Sequence, residues 1–465
     1  MIKGKYHFFA FLIIFFSTLL VFNVKTYLLL FIFAFIMFFF FLKDNLLEST
    51  FLTFLVSLPF ENSIRQWLIY SNQNNPTGYV LYFGVTPKII FGLLLLLLLL
   101  LPKNKYISKN KTFLRNSYLL LIFFILTTIT SLFFQFRIST VFLGYVSLTL
   151  AIFYYYSAAI YFSFSNNKHI FFEFITALII FSSTLGLMQM IKQSPTGIYI
   201  ELTPSFAQTT GYTTTDGKQQ YRVAGFISHP VYFGSFLSII IPIIIGLYFN
   251  KKQLFYIPLI IASIVVLLGT LSRSTWINLT IIFICFYYYQ KKHPFNLPKL
   301  KISKKITHIL IPMISILILF LITPFIFNRL KSIPDLFNNK EGSGFTRVRL
   351  ALDSLKITAN YPFTGIGLNS FAFENHSAPP HNTFLIFLVE LGIPTTLVFI
   401  TFIIKSIIPK FSPERFRPTV FGTWVGLLTF VIVSSQVHPL FNIDPTFNLF
   451  MLILGYFTTC QPSTT

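Results

Sequence analysis

The chain has 465 residues, of which 54% are hydrophobic and only 10% charged, with a mean hydropathy of +0.73. A soluble protein of that length cannot bury so much apolar surface, so a water-soluble globular fold is excluded. The formal net charge of +22 would suit nucleic acid. Most of it falls in short loops between apolar runs, however, which assigns it to membrane topology and leaves no nucleic-acid partner expected.

The apolar runs do not alternate as barrel strands do, so the expected class is all-α, a polytopic integral membrane protein. The first run, His7 to Phe22, follows Lys3 and Lys5 and resembles a signal peptide. It lacks a small-residue cleavage site and a second run follows at once, so a first transmembrane helix is expected. Spans are predicted at about 8–23, 27–42, 46–60, 80–102, 116–134, 138–164, 170–192, 231–250, 254–272, 276–290, 309–328, 382–404, 419–437 and 447–460, for about 12–14 transmembrane helices. The whole of 1–465 reads as one integral-membrane domain.

Alternation from a cytoplasmic N-terminus places most Lys and Arg inside, in the runs Lys103 to Arg115 and Lys291 to Lys305 and near Lys251, Lys405 and Arg417. This satisfies the positive-inside rule for a bacterial plasma-membrane protein with both termini in the cytoplasm. The rest concentrates in a few outer segments: a loop over 193–230 ending Arg222-Val-Ala-Gly225-Phe-Ile-Ser-His229-Pro230, a turn at Ser272-Arg273-Ser274, and a large loop over 329–381. Within that last loop Val348, Ala351, Leu352, Leu355 and Ala359 recur at helical spacing, beside a polar stripe of Arg349, Asp353 and Lys356. An amphipathic helix on the outer membrane surface is expected, with Arg349 pairing with Asp353 and Arg347 left over. Asn360-Tyr-Pro362-Phe-Thr-Gly365-Ile-Gly367 is turn-rich and leads back to His381. Cys285 and Cys460 fall inside predicted spans, which gives no disulfide framework and no metal-ligand spacing.

The densest segment opens at Ala378-Pro-Pro-His381-Asn382, at the mouth of a predicted span. Gly392 follows His381 by eleven residues, about 20° from eclipsed on a helix, so both are expected on one stripe with Leu385, Leu388 and Thr395. Gly392 would let a neighbour approach closely. Glu390 is an intramembrane acid on another face and hence a functional candidate or a buried hydrogen-bonding group. Pro394 withholds an N–H from the Glu390 carbonyl, so a kink is predicted there.

The outer set is thus Arg222, Arg273, Arg347 and His381, with His229 and His376 as lesser members. It contains no paired carboxylates and no acidic cage, which argues against metal-dependent phosphoryl transfer and predicts no metal and no cofactor. Guanidinium groups match diphosphate oxygens in pairs, and a histidine beside them can act as general base. That chemistry points to a lipid-diphosphate substrate whose sugar is transferred. Each residue has a plainer reading: Arg222 as a snorkelling interfacial side chain, Arg273 as a cap on the preceding helix, Arg347 as a contact to anionic lipid, and His229 and His376 as turn or cap residues. Glu173 and Glu48 lie within spans without an evident role.

His381-Asn382, nine residues, Gly392, two residues and Thr395 resemble the signature of the bacterial O-antigen ligase/polymerase family. The likeness extends in order through Arg222 to Pro230, Ser272-Arg273, Arg347, Pro362-Phe-Thr-Gly365-Ile-Gly367, Phe371 and Glu390-Leu-Gly392-Ile393; Val231 departs from it where relatives often carry Asn. The resemblance implies a metal-independent, inverting glycosyltransferase. His381 would deprotonate an acceptor hydroxyl, with Arg222, Arg273 and Arg347 on the diphosphate of a polyprenyl-diphosphate-linked glycan donor and Asn382, Glu390 and Gly392 in support. The acceptor is a glycan or a lipid-linked acceptor, since ligases, polymerases and protein-glycosylating members share the signature. The alternative reading is a lipid-linked oligosaccharide flippase or other polysaccharide transporter, which would show internal pseudo-symmetry and mid-membrane charges. The halves of this chain do not match.

Overall fold

The computed structural model describes residues 2–21, 24–42, 45–60, 65–68, 82–100, 111–133, 138–164, 168–198, 212–215, 218–227, 229–293, 343–371, 380–408, 416–435 and 445–460. The span expected at 309–328, His376, and most of the two large loops lie outside the described residues. The other expected spans each coincide with a helix. These are α1 (Ile2–Ser17), α2 (Val24–Phe41), α3 (Leu46–Ser57), α4 (Pro87–Leu100), α5 (Lys111–Phe133), α6 (Ile138–Phe164), α7 (His169–Lys192), α8 (Pro230–Lys251), α9 (Tyr256–Gly269), α10 (Arg273–Lys292), α12 (Thr383–Ile407), α13 (Pro418–Thr429) and α14 (Pro445–Cys460). Among the described residues five helices (α5, α6, α7, α8 and α12) are long and apolar enough to cross a membrane, and shorter apolar helices accompany them. The all-α polytopic class is therefore borne out. Two small hairpins decorate it: β1 (Arg65–Leu68) with β2 (Tyr82–Val85), and β3 (Tyr212–Thr215) with β4 (Lys218–Tyr221). The first of these corrects the expected span at 80–102, whose helix starts only at Pro87, where proline suits a first-turn position.

The centre of the bundle is α8, the most enclosed of the long helices at 94% buried. It meets α13 at backbone contact. A Cβ on Gly422 or Gly426 would lie 2.2–2.3 Å from the carbonyl oxygens of Pro242 and Ile239, so only small residues allow this crossing. Elsewhere the core is aromatic. Phe11 and Phe15 of α1 lie against Phe174 and Phe181 of α7, and Phe123 of α5 sits 5.0 Å from Phe399 of α12. Polar pins back this up: the Asn116 side-chain amide donates to Ser406 Oγ at 2.9 Å, joining α5 to α12.

The expected surface helix is present as α11 (Ser343–Asn360), and Asp353 lies 3.9 Å from both Arg349 and Lys356. Leu350, Ser354, Ile357 and Thr358 form its packed face, with Leu350 and Ile357 against Ile366, Phe371 and Val389. The apolar stripe read from the sequence points away from the protein, with Val348, Leu352 and Leu355 58%, 53% and 49% exposed. An apolar face turned outward beside charged neighbours is what a helix at a lipid interface presents.

Helix α12 is two helical halves, 383–391 and 393–407, and the break falls at Gly392 (φ 77°, ψ 173°) rather than at Pro394. The segment after α11 fills the break. Ile366 N–H donates to the Val389 carbonyl at 3.0 Å, Gly367 N–H to the Glu390 carbonyl at 2.9 Å, and Ile393 N–H to the Pro362 carbonyl at 2.7 Å. Carbonyls that the interrupted helix leaves without N–H partners are thereby satisfied by a second chain segment, as an apolar surrounding demands. The approach depends on two glycines: a Cβ on Gly392 would lie 2.5 Å from the Phe363 carbonyl oxygen, and one on Gly365 2.4 Å from the Glu390 backbone.

Replacing Gly392 by alanine meets both a backbone conformation reserved for glycine and an immovable carbonyl. A loss of about 3 kcal/mol or more is expected. Thermal unfolding of the detergent-solubilised variant reads it, and a melting temperature within a degree or so of the parent would contradict the clamp.

Candidate functional site

Five sequence-predicted residues come together at the end of the bundle where α8, α10 and α12 begin. His229 is the N-cap of α8: its Nδ1 accepts from Val231 N–H at 3.2 Å and its ring packs 4.8 Å from Tyr232. Burial pulls its pKa down to about 3, and the positive charges of Arg222, His381 and Arg347 add to the effect. Arg347 in turn is held below the usual arginine range by loss of hydration and then by the charge of Arg273. Arg222, His229, Arg273, Arg347 and His381 are therefore linked electrostatically. The plainer reading of His229 as a cap is what the geometry gives.

Each cation arrives by a different route. Hairpin β3–β4 ends at Tyr221 and hands the chain to Arg222, which is only 9% exposed. Arg222 Nε–H donates to the Thr270 carbonyl at 3.1 Å, while Val223 N–H donates to the Gly269 carbonyl. Arg222 thus caps the C-terminus of α9, and the interaction with the negative helix end fixes the plane of its guanidinium. A residue that sequence reasoning missed holds the following turn. Gln189 of α7 accepts from Gly225 N–H at 2.8 Å and Ala224 N–H at 3.2 Å, and donates to the Gly225 carbonyl at 2.8 Å. A polar side chain on an otherwise apolar helix was the available signal.

Arg273 opens α10 directly after its N-cap Ser272, which follows Leu271, a non-glycine residue at φ 51°. Arg347 is the fifth residue of α11. His381 stands one residue ahead of Asn382, which caps α12 by accepting from Phe384 N–H at 2.8 Å and Leu385 N–H at 3.0 Å. Asn382 thereby sets where the helix starts and where His381 is delivered.

Glu390 is 0% exposed. Its carboxylate accepts from Asn369 N–H at 2.8 Å and Phe371 N–H at 3.2 Å, on the segment whose backbone also fills the α12 break. It works as an anchor, not as a partner of the arginines, and Gly392 works as the cleft beside it. The cluster can hold a poly-anion between guanidinium groups with a histidine at its edge.

The fold and these groups define a class: a polytopic membrane protein with a cationic, histidine-bearing site at one end of its bundle. Within it, residues 258–400 match the family described as O-Antigen ligase, which bears out the resemblance carried by the motif segments. The matched stretch includes Arg273, Arg347, His381, Asn382, Glu390 and Gly392, while Arg222 and His229 precede it. No curated protein and no solved structure matches the chain.

The His229 shift has a consequence for stability. Its folded pKa lies below the ordinary histidine value of 6.5, so the unfolded chain binds the proton more readily. Stability is full above about pH 6.5 and falls as pH drops towards 3. His229→Asn keeps a capping acceptor for Val231 N–H and removes the titration. Melting temperatures between pH 7.5 and 4.5 are expected to fall less steeply in the variant; equal slopes would contradict a buried neutral imidazole.

Proposed function

We propose that this protein is a metal-independent, inverting glycosyltransferase of the O-antigen ligase/polymerase kind. It transfers glycan from a polyprenyl-diphosphate carrier to an acceptor hydroxyl during cell-surface polysaccharide synthesis. The site faces outward from the bacterial inner membrane, and both termini are cytoplasmic. The observation that carries this reading is the convergence of cations on one place: Arg222, His381 and Arg347 act on His229, and Arg273 acts on Arg347. Such a set repels metal ions and attracts the leaving diphosphate, whose charge grows as the glycosidic bond breaks.

Of the two histidines, His381 is the base. His229 has its Nδ1 engaged by Val231 and is too weak a base at neutral pH to take a proton from a hydroxyl. In the proposed step His381 accepts the proton of the acceptor hydroxyl and the oxygen attacks the anomeric carbon from the face opposite the diphosphate. The carbon–oxygen bond to the diphosphate breaks, and its electron pair leaves on the diphosphate oxygen held by the three arginines. Arg222, fixed by Thr270, gives that end of the cradle a set orientation. Glu390, Asn382 and Gly392 position these groups without touching substrate.

Purified protein given only an undecaprenyl-diphosphate-linked repeat unit is expected to produce a ladder of longer glycans if it is a polymerase; transfer only after addition of lipid A core identifies a ligase. His381→Ala is expected to lower turnover by about 10²–10⁴-fold. Arg347→Lys, which keeps charge but loses the planar fork, is expected to weaken it as well, and adding or withholding Mg²⁺ or Mn²⁺ to leave it unchanged. Movement of the lipid-linked glycan across vesicles without any transfer would instead support the transporter reading.

A further inference from the structure

A second cluster lies at the other end of α7. His169 and Glu173 are four residues apart on that helix and so share a face. Against them comes His7 of α1, brought there by the Phe11–Phe174 and Phe15–Phe181 packing of the two helices. One ligand atom from each of the three residues lies within 4.8 Å of the others. His7 Nδ1 and Glu173 Oε2 are 3.9 Å apart, too far for a hydrogen bond, and both are buried without a hydrogen-bond partner among the described residues. Two unsatisfied buried polar atoms facing each other call for an explanation.

We propose that His7, His169 and Glu173 form a binding site for a divalent transition-metal ion, best matched to Zn²⁺, that ties α1 to the start of α7. Two imidazoles and one carboxylate are a common three-residue zinc set, leaving a fourth position for water. At metal–ligand bonds of about 2.0–2.1 Å the ligand atoms stand about 3.3 Å apart, so small rotamer changes suffice to close the observed spacing. Charges of both signs surround the site. Glu48 of α3 exerts its negative charge on both histidines, and it is held in place by Tyr161 Oη at 2.6 Å and by Asn45. A carboxylate so placed partly offsets the charge of a bound cation. Lys251 is the opposing charge, acting on His169 and Glu173.

His169 and Gln189, the residue that fixes the Arg222 turn, are twenty residues apart on α7, or about 30 Å along the helix. The ion would therefore be structural and remote from the arginine cluster, and the inference stands independently of the proposed glycosyl transfer. It gives Glu48 and Glu173, intramembrane acids without a role in that chemistry, a common purpose.

The test uses the full chain in detergent, with a histidine-free affinity tag, stripped by a chelator and titrated with Co²⁺. Expected are the visible d–d bands of tetrahedral cobalt, saturating at one ion per chain and displaced by Zn²⁺. Melting temperature should rise on adding Zn²⁺. Loss of an outer-shell partner costs about 10–100-fold in affinity, so His169→Gln and Glu173→Gln, which remove ligands, are expected to weaken binding by more than about 100-fold. His169 is exposed, so its variant keeps the packing intact. No stoichiometric cobalt spectrum in the parent, or one retained in both variants, overturns the site. So do variants that lower the melting temperature equally with and without Zn²⁺, the outcome for a plain His7–Glu173 ion pair.

Discussion

The structure depends on how a broken helix is made tolerable inside an apolar bundle. At Gly392 the backbone of α12 leaves helical geometry, and the carbonyls of Val389 and Glu390 face a gap. Each would cost a large desolvation penalty if left unpaired. The segment 362–367 closes that gap with its own backbone N–H groups, and the Glu390 carboxylate takes two more N–H groups at Asn369 and Phe371. One buried acid and one cleft glycine thus tether the end of α11 to α12. The two residues that follow that segment pack closely on α6, where a Cβ on Gly144 would meet Leu368 and Asn369.

The functional consequence is positional. Arg347 lies near the start of α11 and His381 precedes α12, so the clamp between the two helices helps fix how these groups meet. Arg222 and Arg273 reach the same place through the α9–α10 turn, where Arg222 binds Thr270 and Gln189 braces the strand-to-helix connection. Like charges are held close together by contacts to the backbone, one of them made by Arg222 itself. Such electrostatic strain is tolerable where an anion is to be received. It also fixes the neutral state of His229, since a second imidazolium there would add to an already cationic field.

The helices and the cation set were legible because hydropathy is a local property. Runs long enough to span, short basic loops between them, and the ordered segments Arg222, Ser272-Arg273, Arg347 and His381-Asn382 all stand out in one dimension. The amphipathic repeat of α11 was legible too, including the pairing of Arg349 with Asp353. Less so was the direction of its faces, because the stripe of Leu350, Ser354 and Thr358 that packs inward mixes apolar and hydroxyl residues. The hydroxyls are buried at no loss because they bond to carbonyls four residues back in their own helix. Proline rules placed the kink of α12 at Pro394, but the break came two residues earlier, because a second segment was available to pair with the carbonyls there. Gln189 was hidden for a similar reason: its partners, Ala224 and Gly225, are distant in sequence.

By itself, then, the sequence determined the solvent this protein lives in, the helices that cross it, and which cations stand apart from the basic loops. Transfer energies and helical periodicity act residue by residue, and a single chain displays them. Only the tertiary structure decided that the arginines of three segments and two histidines act on one another. The same holds for Glu390 as a backbone anchor rather than a reactive acid, and for the meeting of His7 with His169 and Glu173. These outcomes depend on hydrogen bonds and charges between segments scores of residues apart, and such pairings have no signature until the helices are packed.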